Sequence, residues 1–568
     1  MAHQQTAFSF HHDLLAEKPA VNTLSEQIIK TLHSFIQSGH VCVHESVLID
    51  AVASKYRPSY TQIKSRIEIL QQSNEIIIDN IPDTSSSNDR IIYLPAFYFA
   101  EKGVSKRFHA FLTIPPHIQT RNIQSCLPKI ELQLLIHLSD EQRWVLSQVL
   151  RYKVAIVTGC PGTGKTTLTR SICLLLKHLN QEIALTAPTG RAAQRLSELT
   201  KFKAKTIHRL LAYYPDKNEF GRNELNPLDV DVVIVDEFSM VDILLMYHLL
   251  KAIPMNAMLI LIGDRYQLPS VGPGNVLKDL IDSERFPVFS LNTVFRHGDN
   301  TRLAQDAVLI NQGKPPDSAK MTIQSNHKYR QSFSELNLTA INPTNNSSDA
   351  NFIFVIENQV EMILQGILAL CTHYLPQEYG FDAVHDIQLI TPMHKGNLGT
   401  NHLNFMLQKH LNFSDAFIVS QGNKFKCGDK VMHLKNNYDK DVYNGDIGII
   451  QSINPLENLC TVNYQKRLVP YTIEELNELT LAYAITVHKS QGTEYPAIIL
   501  PMVTQHYIML QRNLLYTAVT RGKKLVCLIG SEKALSIALK NNHQEKRYTL
   551  LSERLRSSAD SKRLFLKM

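Results

Sequence analysis

Residues 159–166 read Gly159-Cys160-Pro161-Gly162-Thr163-Gly164-Lys165-Thr166. This spacing is that of the phosphate-binding loop G-x-x-x-x-G-K-[ST], whose glycines let backbone N–H groups point at phosphate oxygens. The apolar, β-branched run 154–157 before it is typical of a buried strand, and residues 168–179 after it are typical of a helix. The loop therefore stands in the context it needs, and the chain is expected to bind a nucleoside triphosphate, namely ATP.

The loop also assigns individual contacts. Lys165 is expected to reach the β- and γ-phosphates, and Thr166 is expected to be a ligand of Mg²⁺. The full set of residues expected around the phosphates is Gly159, Cys160, Pro161, Gly162, Thr163, Gly164, Lys165, Thr166 and Thr167.

A second NTPase element follows about 70 residues later, where residues 232–237 read Val-Val-Ile-Val-Asp-Glu. Four apolar residues that end in two carboxylates are expected to form a strand with its acids at the sheet edge. Asp236 can hold Mg²⁺ through water, and Glu237 can orient the attacking water and accept its proton.

Composition sets wide bounds on the function. The 568 residues are too many for one core, so three or four domains are expected. Lys and Arg number 59 against 52 for Asp and Glu, and the resulting charge of +7 permits a nucleic-acid partner without requiring one. Eight scattered cysteines, no secretory signal and no apolar run of about 20 residues indicate a cytoplasmic chain without a membrane partner.

Patterning along the chain predicts an α/β fold. Residues 1–115 have helical spacing and read as a small, mainly helical domain. Residues 130–300 alternate strands and helices, with strands expected at 154–158, 183–186, 231–235 and 258–262. Residues 301–424 and 480–568 read as a second α/β unit, interrupted by a small β-domain at 425–479. The Ser-, Asn- and Pro-rich segment 313–350 reads as a long exposed loop.

Further motifs follow one another in a fixed order. Residues 263–272 read Gly-Asp-Arg-Tyr-Gln-Leu-Pro-Ser-Val-Gly, and residues 294–296 read Val-Phe-Arg. Residues 484–494 read Ala-Ile-Thr-Val-His-Lys-Ser-Gln-Gly-Thr-Glu, and residues 516–521 read Tyr-Thr-Ala-Val-Thr-Arg. Together with the phosphate loop, this order resembles the superfamily-1 helicases, and most closely the RecD family, which includes the RecD subunit of the RecBCD helicase–nuclease.

The resemblance implies roles for residues that match the family motifs. Gln142 would read adenine, Gln267 and Arg296 would contact the γ-phosphate, Glu494 would bind the nucleotide, and Arg521 would act as an arginine finger. Residues implied to contact DNA are Thr186, Pro188, Thr189, Arg191, Asn444, Thr486, His488 and Ser490.

The resemblance also implies a fold and an activity. The fold would be two RecA-like parallel-sheet domains, an inserted SH3-like β-domain and a small N-terminal domain. The activity would be ATP-dependent 5′→3′ translocation on single-stranded DNA within a RecBCD-type complex, acting on DNA ends in double-strand-break repair and recombination. Residues 1–115 would dock onto RecB and RecC partners, and the nuclease would lie in another subunit.

Three alternatives remain open from the sequence. The short stretch before the first motif favours a complex subunit, but a self-sufficient RecD-like helicase has the same motifs. A phosphate-loop ATPase that clamps nucleic acid without moving is a second alternative. An RNA helicase is a weaker third, since nothing in the sequence reads a 2′-hydroxyl.

Overall fold

The structure is a computed structural model. It describes residues 23–80, 90–118, 123–293, 300–325, 336–340, 351–437, 439–454, 456–464, 467–542 and 546–557.

The N-terminal region packs three helices and a small antiparallel sheet under a fourth, long helix. Its first helix begins with a capping box between Thr23 and Glu26 and ends before Gly39, whose φ of 92° favours glycine at this position. Strand β3 lies between β1 and β2. The elements are α1 (Leu24–Gln37), β1 (Val43–His44), α2 (Glu45–Tyr56), α3 (Tyr60–Gln72), β2 (Ile77–Asn80), β3 (Arg90–Tyr93) and α4 (Pro95–Leu112).

The first α/β lobe contains a six-stranded parallel sheet in the order β11-β4-β10-β9-β5-β6. Its elements are α5 (Ile123–Leu134), α6 (Asp140–Gln148), β4 (Val154–Gly159), α7 (Lys165–His178), β5 (Ile183–Ala187), α8 (Gly190–Thr200), β6 (Ala204–Thr206), α9 (Ile207–Leu210), β7 (Tyr213–Tyr214), β8 (Glu219–Phe220), β9 (Val232–Val235), α10 (Ile243–Ala252), β10 (Met258–Gly263), α11 (Val276–Asp282) and β11 (Val288–Leu291). Strands β7 and β8 form a separate hairpin.

Both faces of this sheet are buried, which explains why its central strands are apolar throughout. Alternate residues of β4 pack into two different cores. Ala155 and Val157 lie under helices α5–α7, whereas Val154 and Ile156 belong to a core that continues into the N-terminal region. The four strands predicted in this lobe are confirmed to within about a residue at each end.

The second lobe contains a seven-stranded sheet in the order β13-β12-β14-β25-β24-β15-β23, parallel except for the edge pair β12–β13. Its elements are α12 (Asn300–Asn311), β12 (Ala319–Ser325), β13 (Leu336–Ala340), β14 (Phe352–Ile356), α13 (Val360–Ala369), α14 (Leu375–Tyr379), β15 (Ile387–Thr391), α15 (Thr400–Leu411), then β23 (Ala484–Thr486), β24 (Tyr495–Met502), α16 (Arg512–Val519), β25 (Gly522–Gly530) and α17 (Glu532–Lys540). The last helix, α18 (Leu551–Arg556), packs instead against α4 and α11. A π-helical turn at Leu370–Tyr374 joins α13 to α14.

Between α15 and β23 the chain forms a hairpin and a five-stranded antiparallel sheet in the order β21-β20-β19-β18-β22. These strands are β16 (Phe417–Ser420), β17 (Asn423–Lys426), β18 (Lys430–His433), β19 (Ile447–Asn454), β20 (Leu459–Tyr464), β21 (Arg467–Thr472) and β22 (Leu479–Leu481). The predicted fold class, two parallel-sheet lobes with an inserted β-structure and a mainly helical N-terminal region, is confirmed.

The prediction of a long exposed loop at 313–350 is wrong for part of that segment. Residues 319–325 and 336–340 form β12 and β13 at the edge of the second sheet, and Met321 is buried in the core beneath it. An edge strand is solvated along one side, so it tolerates the polar composition that suggested a loop. Residues 313–318 are irregular, as predicted, and residues 326–335 and 341–350 lie outside the described part of the chain.

Among the described residues, no helix is both long enough and apolar enough to cross a bilayer.

The continuous core beneath the first sheet gives a stability prediction. Phe108 on α4 is fully buried, and its ring centroid lies 5.0 Å from that of Phe286 in the first lobe. Phe108→Ala should lower the free energy of unfolding by about 3–5 kcal/mol, because it leaves a cavity between the two regions. Phe99→Ala, an exposed position on the same helix, is the control and should change it by less than about 0.5 kcal/mol. Denaturant titration followed by circular dichroism measures both, and equal stability of the two variants would contradict a shared core.

Candidate nucleotide cleft and nucleic-acid channel

The phosphate loop connects the end of β4 to the start of α7. Gly162 and Gly164 adopt φ angles of 84° and 80°, which side chains rarely tolerate, and so allow the tight curl. Thr163 fixes the curl from inside, since its hydroxyl donates to the carbonyl oxygen of Cys160 at 2.7 Å. The ammonium of Lys165 donates to the carbonyl oxygens of Gly159 and Cys160, so the lysine folds back over the loop.

Two carboxylates follow β9 at the same edge of the sheet. The backbone N–H of Asp236 donates to the carbonyl of Thr186 at 2.9 Å, and the N–H of Glu237 donates to the Asp236 carboxylate at 2.8 Å. Glu237 has a φ of 50°, an unusual value for a non-glycine residue that turns the chain sharply at this point. Burial and the neighbouring charge of Glu237 raise the pKa of Asp236 to about 6.

These carboxylates suit a hard cation, which prefers oxygen ligands. A cation would offset the burial and the like charge that raise the pKa of Asp236, and Thr166 lies in the wall of the same cleft. The donor set therefore fits Mg²⁺ held by Asp236 and Thr166.

A cleft of about 280 Å³ separates the two lobes at the phosphate loop. The predicted residues that line it are Pro161, Gly162, Gly164, Lys165, Thr166, Thr167, Asp236, Glu237, Gln267, Glu494 and Arg521. Glu494 and Arg521 come from the second lobe, about 330 to 360 residues after the phosphate loop, so the structure brings together groups far apart in sequence.

Four predicted nucleotide-binding residues do not line the cleft. Gly159, Cys160 and Thr163 belong to the phosphate loop but are not part of the cleft wall. The hydrogen bond from Thr163 to Cys160 supports the curl of the loop. Gln142 is buried, and its side-chain oxygen accepts from the backbone N–H of Ser139 at 3.1 Å in a capping box that starts α6. The predicted role of Gln142 in reading adenine stays a prediction, with its side-chain oxygen engaged in this cap. Arg296 lies outside the described residues.

Arg521 is buried at the base of α16 and its guanidinium makes three hydrogen bonds. It donates to the carbonyl oxygens of Thr517 and Thr493, both at 3.0 Å, and to the hydroxyl of Thr520 at 3.1 Å. All three acceptors are neutral, so the positive charge of Arg521 at the cleft wall is not neutralised by these contacts.

Arg195 is a cleft residue that the sequence analysis missed. From α8 of the first lobe it forms an ion pair of 2.6 Å with Glu494 of the second lobe, across the cleft. It lies one helical turn after Arg191, a predicted DNA contact, so the two arginines share a face of α8. This i, i+4 spacing from Arg191 was the sequence signal that could have pointed to Arg195.

The loop after β10 links the cleft to the second lobe. The amide of Gln267 donates to the Asp264 carboxylate at 3.2 Å, while its buried side-chain oxygen has no hydrogen-bond partner among the described residues. Tyr516 of the second lobe donates to the same carboxylate at 2.9 Å. The backbone N–H of Leu268 donates to the hydroxyl of Thr517 at 2.9 Å.

A second, larger cavity of about 720 Å³ also spans both lobes. Five predicted DNA-binding residues line this channel: Thr189, Arg191, Asn444, Thr486 and His488. The sequence analysis missed other polar residues in its wall, namely Ser270, His394, Lys489, Gln491, Asn513 and Arg547.

Two predicted DNA contacts need correction. Thr186 and Ser490 are fully buried, and their hydroxyls donate at 2.7 Å to the carbonyl oxygens of Lys205 and Val487 respectively. Both hydroxyls support the backbone behind the channel and do not face it. Pro188 is half-buried next to Thr189 and is not part of the wall.

Comparison with known proteins identifies the family. An AAA domain matches residues 142–273, a UvrD-like helicase C-terminal domain matches residues 481–529, and an ATP-dependent RecD-like DNA helicase SH3 domain matches residues 403–464. The ATP-dependent RecD2 DNA helicase of Deinococcus radiodurans is 32% identical over 92% of this chain and 67% of its own length. The chain belongs to the RecD-like family of superfamily-1 helicases. The resemblance stated from the motifs is thereby confirmed.

A second relative and a solved structure are less similar in sequence. The RecBCD enzyme subunit RecD of Mycolicibacterium smegmatis is 28% identical over 73% of this chain and 75% of its own length. Among solved structures, Pif1 helicase from Candida albicans is 18% identical, with a TM-score of 0.43 over 72% of this chain and 98% of that one.

The position of Arg521 gives a kinetic prediction. If Arg521 stabilises charge that develops during phosphoryl transfer, Arg521→Ala should lower turnover by roughly 10³–10⁵-fold while changing the affinity for ATP far less. Steady-state ATPase kinetics and equilibrium binding of a fluorescent ATP analogue measure the two effects. Lys524→Ala, an exposed neighbour, is the matched control, and Lys165→Gln is the inactive reference. A variant that mainly raised KM would show a ground-state contact instead.

Proposed function

We propose that this chain is an ATP-driven motor that moves 5′→3′ along single-stranded DNA. The observation that carries this proposal is that three segments contribute neighbouring residues to both cavities. On α8, Arg195 lines the cleft and Arg191 lines the channel. Residues 267–270 and 491–494 also contribute to both walls. A rearrangement of the cleft around nucleotide would therefore move the channel wall.

The cleft residues have complementary tasks toward ATP. Lys165 and the backbone N–H groups at the start of α7 bind the phosphates. Asp236 and Thr166 would hold Mg²⁺, which would neutralise part of the phosphate charge. Glu237 orients the attacking water and takes its proton, while Arg521 stabilises the charge that develops on the transferred phosphoryl group. The supporting geometry is that all five residues line one cleft.

Lobe closure would complete the site. Arg521 and Glu494 belong to the second lobe, so their distance from Lys165 depends on how the lobes are placed. When closure on ATP redirects Arg521 toward the phosphates, it must give up carbonyl contacts to Thr517 and Thr493. Release of the products would restore those contacts and reopen the cleft.

On the channel side, the available groups suit the backbone of a nucleic acid. Arg191 and Lys489 offer positive charge, and Thr189 and Thr486 offer hydroxyls. Such groups contact phosphates and sugars without reading base sequence. Arg191 also bridges the lobes, since its guanidinium donates to the hydroxyl of Tyr495 at 3.3 Å and lies 5.3 Å from the centre of that ring.

The channel gives a test with salt dependence. ATP turnover should be stimulated by single-stranded homopolymers of any base, and the DNA concentration for half-maximal stimulation should rise with salt as counterions are released. Arg191→Ala should raise that concentration about tenfold and reduce the salt slope by about 0.7, the value for one lost phosphate contact on a single strand. Lys30→Ala, an exposed lysine on α1, is the control. Turnover unaffected by DNA would favour the alternative of a clamp that does not move.

Two settings for this motor have separate support. As a subunit of a RecBCD-type complex, the chain would act with RecB and RecC partners on DNA ends in break repair, and residues 1–115 would dock onto them. RecD subunits that are 25–28% identical support this setting. The self-sufficient setting is supported by the 32% identity to the RecD2 helicase across 92% of this chain.

Purification distinguishes the settings. The native chain, tagged at its chromosomal locus, should co-purify with a stoichiometric helicase–nuclease if it is a subunit, and purified alone it should unwind forked DNA poorly. If it instead purifies alone and unwinds a fork with a 5′ single-stranded tail, the self-sufficient setting holds. The Lys165→Gln variant controls for contaminating helicases in both assays.

A further inference from the structure

The last described segment of the chain crosses from the second lobe to the rest of the molecule. Helix α17 ends on the second lobe at Lys540, and Asn541 remains tied there through contacts with Leu510 and Arg512. Residues 546–557, here called the C-terminal strap, lie instead against the N-terminal region and the first lobe. The leucines at 550, 551 and 555 are buried in the core shared by those two regions.

A buried carboxylate anchors the strap. Glu101 on α4 is fully buried and accepts from the hydroxyl of Thr549 at 2.8 Å and from the Arg554 guanidinium at 3.1 Å. Arg554 also pairs with Asp79 of β2 at 2.8 Å. A buried ion pair with additional hydrogen bonds fixes geometry strongly, because leaving either charge unpaired is costly. The strap is therefore a firmly held element of the fold.

Arg547, at the start of the strap, holds the loop that follows Gln267. Its guanidinium donates to the carbonyl oxygens of Ser270, Gly272 and Gly274 at 2.8, 2.9 and 2.6 Å. A single planar donor group thus satisfies three backbone acceptors, with both terminal nitrogens in use.

The N-terminal region closes around the same arginine. Gly39 lies so close that a Cβ there would come within 2.5 Å of the Arg547 guanidinium, and its carbonyl oxygen accepts from the N–H of Gly274 at 2.9 Å. Next to it, the ring of His40 stacks on Tyr548 at 4.9 Å. The turn after α1, the strap and the loop 269–275 therefore form one contact.

We propose that Arg547 is a positioning residue for the motor: it holds the loop 269–275 in the shape that forms one wall of the nucleic-acid channel, and so couples DNA in the channel to Gln267 in the cleft. This inference rests on the proposed function. Pro269, Ser270, Val271 and Asn275 line the channel, and Gln267 lines the cleft two residues before Pro269. The C-terminal strap and the turn after α1 would then contribute to the motor, in addition to their role in the packing of the N-terminal region.

Removing the guanidinium leaves the carbonyl oxygen of Ser270 without its donor. The carbonyl oxygens of Gly272 and Gly274 then share a single remaining donor, the Ser270 hydroxyl. Ser270 is nearly inaccessible to solvent, so water does not readily replace the lost hydrogen bonds. The loop would then leave its position, and occupation of the channel would be transmitted less well to the cleft.

The test compares DNA-stimulated with DNA-free ATP turnover in the full-length chain, well below the unfolding midpoint. Arg547→Ala should lower the ratio of these rates roughly tenfold, the size expected when hydrogen bonds from a charged donor to buried acceptors are lost. Arg547→Lys keeps the charge but lacks the planar fork, so it should recover less than half of the lost stimulation. Arg556→Ala, an exposed arginine of the same strap that donates to the carbonyl of Asp282, is the control and should match the wild type.

Gly39→Ala provides a second variant, in which residue 547 is still arginine but its guanidinium is displaced. The added methyl group occupies the space of the guanidinium and should also lower the ratio, even if Arg547→Ala fails to fold. Stimulation of Arg547→Ala within twofold of the wild type, or full recovery by Arg547→Lys, would overturn the positioning role; the latter would show that charge alone matters. A wild-type chain that DNA does not stimulate would instead contradict the proposed function.

Discussion

The buried contact between Asp264 and Tyr516 is the constraint on which the arrangement of both sites depends. Burial, and then the negative charge of Asp264, raise the pKa of Tyr516 well above its usual value, so the phenol keeps its proton and donates to the carboxylate. Because the same carboxylate accepts from Gln267, the second lobe is joined to the residue that faces the nucleotide cleft. Gln267 lines the cleft, and the next residue, Leu268, lines the channel.

Local chemistry explains what the sequence could predict. The phosphate loop, the Asp236–Glu237 pair and the buried strands of the first sheet each depend on residues within a few positions of one another, so their patterns are readable. Strands β12 and β13 were not readable, since an edge strand carries polar residues as a loop does. Gln142 shows a different limit of sequence patterns. It matches the adenine-reading motif of the family, yet its side-chain oxygen takes part in the cap of α6.

Contacts between distant segments were out of reach. Arg195 meets Glu494 about 300 residues later, and Arg547 meets a loop about 275 residues earlier. No periodicity or spacing encodes such pairs, and a single sequence offers no covariation to find them. The burial of Thr186 and Ser490 was equally hidden, because a threonine or serine in a motif serves the backbone as readily as it serves a ligand.

The two arginines from opposite lobes hold their charge in different ways. Arg521 is held by carbonyl and hydroxyl groups, so it can turn to an anion at the cost of neutral hydrogen bonds. Arg195 shares its charge with Glu494, and moving Glu494 to another partner leaves the arginine in need of an anion. A nucleotide that engages Glu494 and also carries phosphates supplies both needs at once. The ion pair across the cleft therefore joins the two lobes, and a movement that breaks it must give each charge another partner.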